Sequence, residues 1–244
     1  LSEISISANR VPTPLVDVGS SVTVLSEDDI SVSSDSYVID FISKLPGVNV
    51  SQNGPKGSTS GLTLRGLGLK YVKVLVDGID IGDVSSIPVM ANLSGLMLNE
   101  IERIEILQGS QSALYGSSAI GGVISLTTKK ALGASGSVSL EGGKYGTVSL
   151  NLSKTFSSEN SDILVSGSYF TTDGFSAKVD GLENDGYSSS RISVSGNYYL
   201  SDTNSLSVSM FKQDEEGDQD GYDPISFEFV DKDDEVFSND SVGI

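Results

Sequence analysis

The 244-residue chain contains no cysteine, no histidine and no tryptophan. The absence of cysteine excludes disulfides and thiolate chemistry. The absence of histidine excludes the commonest general base, the Ser-His-Asp triad and most zinc sites. An enzyme built from this sequence would have to rely on carboxylates, so the composition favours a protein that is not an enzyme.

Long apolar runs and positive charge are also scarce. Hydrophobic residues make up 37% of the chain, and no run approaches the roughly 18–20 apolar residues of a spanning helix. Transmembrane β-strands stay open as an alternative, because their alternating pattern gives a weak hydropathy signal. Fifteen basic against 33 acidic residues give a net charge of −18, which argues against nucleic acid as a partner and suits hard cations. The first residues lack the basic and apolar regions of a signal peptide, which indicates a mature exported chain or a cytoplasmic one.

The most structured stretch of the sequence is 99–130, NEIERIEILQGSQSALYGSSAIGGVISLTTKK. Its isoleucines alternate with charged residues, which predicts a half-buried strand. Ser110 is expected to cap a single helical turn that ends at Gly116. A glycine pair then precedes Val123–Thr128, which is predicted as a second strand. The stretch therefore reads as one buried strand–turn–helix–turn–strand unit.

Upstream segments predict short strands and helices. Ser26 followed by Asp29 forms a capping box for a helix over 27–32. A second helix is expected from Asp35 or Ser36, with its apolar face at helical spacing, until Pro46 ends it. Further strands are predicted at 22–25, 48–50, 62–64 and 71–76.

The N-terminal residues EISISA alternate isoleucine with serine. The pattern is typical of an extended arm, either a flexible edge strand or an unpaired strand that another protein captures by strand addition.

The sequence after residue 131 alternates differently. In residues 148–153 the apolar Val148, Leu150 and Leu152 are separated by small polar residues, and four other segments repeat this pattern. A soluble sandwich would carry charges on the polar face, whereas a barrel in lipid with a wet lumen carries serine, asparagine and glycine there. The pattern therefore predicts transmembrane β-strands, with a surface adhesin of β-repeats as the alternative.

Two acidic segments echo each other, END-GY at 183–187 and DQD-GY at 218–222. Carboxylates around a glycine turn suit Ca²⁺, although the spacing is not that of an EF-hand. A solvated acidic loop is the alternative. The candidate metal ligands are Glu183, Asp185, Asp214, Asp218, Asp220 and Asp223.

Several blocks resemble the TonB-dependent outer-membrane receptors. The 99–130 stretch is similar to the last block of their plug domain, with Gln108 and Ser110 where the family has Arg and Pro. DFISKLPGVNV, TLRGLG and VLVDG resemble earlier plug blocks in the same order, and EISISA resembles the family's TonB box. The resemblance implies an α+β plug domain, a small mixed sheet with short helices, inside an antiparallel transmembrane β-barrel. Residues 1–131 would be the plug, with the box at 3–8, and 132–244 the first barrel strands.

The resemblance also implies a function. Because five or six strands cannot close a barrel of about 22, we expect the N-terminal part of a larger receptor in the bacterial cell outer membrane, in contact with its lipid. Such receptors take up a bulky, scarce nutrient. The likeness is strongest to cobalamin receptors, which bind calcium in early barrel loops, and ferric-siderophore or haem uptake is the alternative. TonB, a periplasmic protein, would bind Glu3, Ile4, Ser5, Ile6, Ser7 and Ala8. Two plug loops, unless they are ordinary connections, would contact the nutrient through Asn53, Pro55, Lys56, Ser58, Thr59, Asp83, Ser85, Ser86 and Met90.

Overall fold

A computed structural model describes most of the chain, in two compact units. The described residues are 4–5, 7–52, 60–83, 88–91, 93, 95–129, 136–178, 181–201, 204–218, 220–223, 225–230 and 236–243. One unit comprises residues 1–51 and 60–129, and the other comprises 52–59 and 130–244. The predicted domain boundary at 131 lies outside the described residues.

The first unit consists of short elements. Its strands are β1 (Ile4–Ser5), β2 (Thr13–Pro14), β3 (Ser21–Leu25), β4 (Val48–Gln52), β5 (Ser60–Leu64), β6 (Leu67–Gly68), β7 (Val72–Val76), β8 (Ile79–Asp80), β9 (Gly82–Asp83), β10 (Met90–Ala91), β11 (Ile101–Gln108) and β12 (Gly122–Thr128). Its helices are α1 (Glu27–Ser31), α2 (Val38–Ile42) and α3 (Ser112–Tyr115), with 3₁₀ turns at Leu15–Asp17, Leu69–Tyr71 and Leu98–Glu100.

The core of this unit is a five-stranded sheet in the order β3-β11-β12-β7-β8. The β12–β7 pair is parallel, and the other pairs are antiparallel. The sequence predicted that β11 is half-buried, and this is wrong. Residues 104–107 are all buried, including Glu105 at 2% exposure. A strand with neighbours on both sides and layers on both faces has no solvent-facing row.

The helix ends follow local sequence in one case and not in two others. Ser26 and Asp29 form the predicted capping box of α1. The second helix begins at Val38, after the predicted start, and Tyr37 precedes it without a side-chain cap. In α3 the N-cap is Gln111 and not Ser110, and it too lacks a side-chain cap. Backbone hydrogen bonds to remote residues lie at both starts: the Val38 N–H donates to the Leu96 carbonyl at 2.9 Å, and the Gln111 N–H donates to the Ala119 carbonyl at 2.8 Å.

Gly122 closes the turn between α3 and β12. Its φ is +151°, a region that L side chains rarely adopt, and a Cβ there would lie within 2.2 Å of the Leu107 carbonyl oxygen. Only glycine lets β12 approach β11 this closely.

The second unit is an antiparallel sheet with longer strands. They are β13 (Gly136–Gly142), β14 (Val148–Ser157), β15 (Ser161–Thr172), β16 (Tyr187–Ser201), β17 (Asn204–Asp218) and β20 (Val236–Gly243), with a separate hairpin of β18 (Gly221–Tyr222) and β19 (Phe229–Val230). Each long strand pairs with the next, so the sheet is a meander.

The register sorts side chains onto two faces of this sheet. Val165 lies opposite Val194, which lies opposite Met210, and the apolar rows run across adjacent strands. The other face is polar: the hydroxyls of Ser166 and Ser193 are 2.6 Å apart. A water-soluble sheet would bury its apolar face, whereas the apolar face of this sheet is exposed, as it is in a strand that faces lipid.

Connections differ at the two ends of the sheet. At one end of the sheet, three residues separate β14 from β15 and two separate β16 from β17, whereas at the other end 14 residues separate β15 from β16 and 17 separate β17 from β20. The β13–β14 turn at residues 143–147 lies at the same end as the two longer separations.

No helix in the described part of the chain is long and apolar enough to span a membrane.

Candidate functional site

The N-terminal segment is docked against the first unit. Of the two alternatives, an edge strand and an unpaired strand, the structure shows a paired edge strand: Ile4 pairs with Pro14, and Ser5 pairs with Thr13. Ser5, Ser7 and Ala8 are buried, whereas Ile4 is 41% exposed. Glu3 and Ile6, the other residues of the predicted box, lie outside the described residues.

Glu105 on β11 holds this segment. Its Oε2 accepts hydrogen bonds from the Ser5 hydroxyl at 2.7 Å and from the Ser7 backbone N–H at 2.9 Å. Its Oε1 accepts from Arg103 Nε at 2.7 Å. Arg103 also donates through Nη2 to the Ile4 carbonyl oxygen. A buried carboxylate is stable when it is paired and hydrogen-bonded, and Glu105 satisfies both conditions.

A second set of contacts holds the end of the segment. The Tyr115 hydroxyl of α3 donates to the Ser7 carbonyl at 2.7 Å, and the Arg10 guanidinium lies 4.7 Å from the centroid of the Tyr115 ring. Ala8 packs in a cluster with Leu75, Leu107, Tyr115, Ala119 and Val123. The stretch 99–130 thus supplies the side chains that hydrogen-bond to Ile4, Ser5 and Ser7, while β2 and Leu75 supply other contacts to the segment.

The structure brings two predicted substrate residues together. Asp83 and Met90 are cross-strand partners in the β9–β10 hairpin. Asn53, Pro55, Lys56, Ser58, Thr59, Ser85 and Ser86 lie outside the described residues.

Three of the six predicted metal ligands converge. One carboxylate oxygen from each of Glu183, Asp185 and Asp220 lies within 4.8 Å of the others. Backbone donors orient two of these groups: Ala177 N–H donates to Asp185 Oδ2 at 2.6 Å, and Lys178 N–H donates to Asp220 Oδ2 at 3.0 Å. The three side chains form what we call the acidic group.

The other three predicted ligands have different roles in the structure. Asp218 Oδ2 accepts from the Gly186 N–H at 3.2 Å, beside the acidic group. Asp214 was expected in a loop, but it lies within β17 and forms a 2.7 Å ion pair with Lys212. Asp223 Oδ1 accepts from the N–H groups of Ile225 and Ser226, which is a local turn. The structure does not bring these residues into the acidic group.

Sequence reasoning missed Arg103, Glu105 and Tyr115. The available signal was a pair of charged residues, Arg103 and Glu105, within the apolar strand β11. They stand at alternate positions with Leu107 and so lie on the same face of the strand. Nothing local links them to a segment about 100 residues away.

The fold defines a plug with barrel strands, and comparison with known proteins supports this class. Residues 14–123 match the TonB-dependent Receptor Plug Domain family. The Vitamin B12 transporter BtuB of Vibrio vulnificus (strain CMCP6) is 33% identical over 211 residues, which cover 85% of this chain and 34% of that protein. The chain therefore belongs to the TonB-dependent receptors, proteins of the bacterial outer membrane, and it spans about a third of the curated relative it matches.

Solved structures share the fold at lower identity. The ferripyoverdine receptor of Pseudomonas aeruginosa has a TM-score of 0.73 and 19% identity, over 88% of this chain and 28% of that chain. The siderophore receptor PiuA of Acinetobacter baumannii has a TM-score of 0.70 and 19% identity, over 90% and 30%. These likenesses confirm the predicted fold class, a plug with barrel strands that do not close a barrel here. At this identity they carry no information on the substrate.

Proposed function

We propose that the protein to which this chain belongs is a TonB-dependent receptor that imports cobalamin across the outer membrane. TonB binds residues 3–8 from the periplasm and pulls on the plug, and no covalent chemistry takes place. The nutrient contacts the two plug loops at 53–60 and 83–90.

The identity to the Vitamin B12 transporter BtuB carries the choice of cobalamin, because it extends through both the plug and the barrel strands. The alternating residues 4–8 support the coupling step, since a short extended segment is what strand addition uses. Uptake of a ferric siderophore is the alternative, and it has the same plug and the same coupling segment.

Binding and uptake by the full-length receptor test this proposal. Cyanocobalamin should bind and be taken up, a ferric siderophore should not, and deletion of residues 3–8 should abolish uptake while binding persists. Replacement of residues 3–8 by six glycine and serine residues is the matched variant, because it removes the sequence of the segment and keeps its length. Binding of the siderophore alone would assign the alternative substrate, and uptake unaffected by the deletion would contradict energised transport.

We propose further that the acidic group of Glu183, Asp185 and Asp220 holds a Ca²⁺ ion. The donor set fits, because Ca²⁺ prefers carboxylate oxygens. Three such oxygens lie close together here, and the side chains that carry them are buried or half-buried. A bound ion would neutralise their mutual repulsion and hold the 173–186 connection against residues 218–222.

Calcium titration of the receptor by calorimetry tests the ion site. The Glu183→Gln and Asp220→Asn variants should bind Ca²⁺ at least about tenfold more weakly, since each removes a charged ligand. Asp214→Asn is the matched control, because Asp214 lies outside the acidic group, and it should leave the affinity unchanged. An equal loss in all three variants would indicate diffuse attraction by the acidic end and contradict a defined site.

A further inference from the structure

The barrel strands carry an open slot of about 270 Å³ on their exposed apolar face. Leu152, Gly167 and Ile192 lie opposite one another in one row across β14, β15 and β16. Leu150 and Tyr169 pair in the next row and line the same slot. The walls are therefore apolar, on the face that the strand pattern assigns to lipid.

Gly167 opens the slot because it has no side chain. A Cβ at this position would meet one atom within 4 Å, the Arg191 carbonyl oxygen at 3.8 Å, and the backbone is not in the positive-φ region that favours glycine. Backbone strain therefore does not demand a glycine here. Its effect is an unfilled apolar space between Leu152 and Ile192.

The slot lies toward the end of the sheet that has the longer separations between strands. Leu150 is near the start of β14 at Val148, and Tyr169 is near the end of β15 at Thr172. In outer-membrane barrels the longer loops are extracellular, and aromatic side chains mark the boundary between acyl chains and headgroups. The slot is therefore at the depth where the acyl chains of the outer half of the bilayer meet their headgroups.

Charged side chains form the rim of the slot. Lys212 lies opposite Ile192, and its Nζ forms a 2.7 Å ion pair with Asp214 Oδ1. Asp240 is the cross-strand partner of Asp214. One cation thus serves two carboxylates, and like charges directly opposite each other on a sheet are destabilising. The rim can accept a second cation, while the lysine, which has three N–H donors, can also bind an anion.

We propose that the slot binds one zwitterionic aminophospholipid, of which phosphatidylethanolamine is the simplest example. An acyl chain fills the space over Gly167. The phosphate accepts a hydrogen bond from Lys212, and the ammonium group lies between Asp214 and Asp240. The proposal depends on the outer-membrane location and not on which nutrient the receptor imports.

The charges at the rim favour this headgroup over two others. A phosphatidylglycerol headgroup offers its phosphate to Lys212 but brings no cation to the two carboxylates. A phosphatidylcholine headgroup has the same net charge as phosphatidylethanolamine, but its quaternary ammonium has no N–H to donate. Charge-assisted hydrogen bonds to carboxylates are therefore specific to the primary ammonium group.

Native mass spectrometry of the full-length receptor tests the site. The receptor in detergent is titrated with dioleoyl phosphatidylethanolamine, phosphatidylcholine or phosphatidylglycerol, and the affinity for the first bound lipid is measured. Phosphatidylethanolamine should bind about 3- to 10-fold more tightly than either of the others, the range for one hydrogen bond to a charged group at an exposed rim.

A glycine substitution tests the slot itself. Gly167→Leu fills it and should weaken binding of all three lipids by at least about tenfold, as expected when roughly two methylene groups lose their burial. Gly196→Leu is the matched control. Gly196 lies between Ile163 and Val208 in a row toward the other end of the sheet, and a Cβ there has similar room, with nearest atoms at 3.8 and 3.9 Å. This variant should bind the lipids as the parent does.

A rim substitution tests the headgroup without changing the packing of the slot. Asp214→Asn leaves one cation for one carboxylate. It should reduce the advantage of phosphatidylethanolamine over phosphatidylcholine to about twofold or less and should strengthen the binding of phosphatidylglycerol. A loss of packing alone would weaken all three lipids together. Thermal unfolding of each variant, followed by circular dichroism, shows that the barrel is intact.

Three results would overturn the proposal. Equal lipid binding by Gly167→Leu, Gly196→Leu and the parent would show that the slot holds no lipid and that lipid merely surrounds the barrel. Equal affinity of the parent for the three lipids, or a preference for phosphatidylglycerol, would contradict the assigned headgroup. An unchanged order of the three lipids in Asp214→Asn would show that the rim does not recognise the ammonium group.

Discussion

The two units place the same kinds of side chain in opposite positions. In the plug, Ile104, Ile124 and Leu126 are fully buried in the middle of the sheet. In the barrel strands, Leu140, Ile192 and Leu206 are among the most exposed side chains, while serine and asparagine occupy the other face. The plug buries its apolar side chains, as a protein in water does, and the barrel strands expose theirs on one face, as a protein in lipid does.

The comparison explains why bulk composition is a poor guide to this chain. Its mean hydropathy is −0.01 and its hydrophobic fraction is 37%. Those averages combine the buried apolar core of the plug with the exposed apolar residues at alternate positions of the barrel strands. The spacing of the apolar residues, and not their number, distinguishes the two environments.

The largest effect should come from the plug core. Ile104→Ala should destabilise the plug by about 2–5 kcal/mol, because it removes buried methyl groups and leaves a cavity. The matched Ile192→Ala, at a side chain that is 65% exposed on the barrel face, should cost less than about 1 kcal/mol in lipid. Urea unfolding of the receptor, followed separately in each unit, measures both. Equal costs would contradict the different environments.

A charge on the outward barrel face should have a slightly smaller effect. Leu152 is 47% exposed, and on a water-facing surface its replacement would change stability by only about 0.5 kcal/mol. In lipid, Leu152→Arg should cost about 2–4 kcal/mol and reduce the amount of assembled receptor in the outer membrane. Ser153→Arg, one residue along on the polar face, is the control. If both variants assemble equally well, the assignment of faces is wrong.

The smallest effect is expected at the start of α1, where the plug meets water. Ser26→Ala should cost about 0.5–2 kcal/mol through loss of the cap. The side-chain hydrogen bond from Ser26, together with its backbone N–H, lowers the pKa of Asp29 below its ordinary value of 3.8. Because the folded pKa is the lower one, the contribution of Asp29 is present above the unfolded pKa and is lost as pH falls through the folded pKa.

A pH series measures this contribution. The stability difference between the parent and Asp29→Asn should be constant at neutral pH and should shrink on acidification through that window. A difference that grows on acidification would mean that the protonated carboxyl is the stabilising form.

Much of the fold could be predicted because its signals are local. The Ser26–Asp29 box defined α1, and the alternating residues 148–153 defined a strand with one apolar face. The length of β17 was not predictable in this way. Its last residues are Asp214, Glu215, Glu216, Gly217 and Asp218, which resemble a loop, yet pairing with β16 and β20 extends the strand through them. Pairing partners outweigh local preference in a sheet.

The candidate site was less predictable because its partners are remote. Ser5 meets Glu105 across 100 residues of sequence, and the serine–isoleucine alternation indicates only an extended segment. The acidic group was half predictable: the END-GY and DQD-GY echoes correctly marked Glu183, Asp185 and Asp220 as neighbours. Strand register, which the sequence does not reveal, removed Asp214 from that group.

The central claim, that one chain is folded for water in its first part and for lipid in its second, has a direct test. Single cysteines at each position from 205 to 210, carrying a fluorophore, would be exposed to a lipid-soluble quencher in the assembled receptor. We predict strong quenching at 206, 208 and 210 and weak quenching at 205, 207 and 209, while a label at Leu126 of the plug stays unquenched. Uniform quenching, or none at any of the six positions, would contradict the claim.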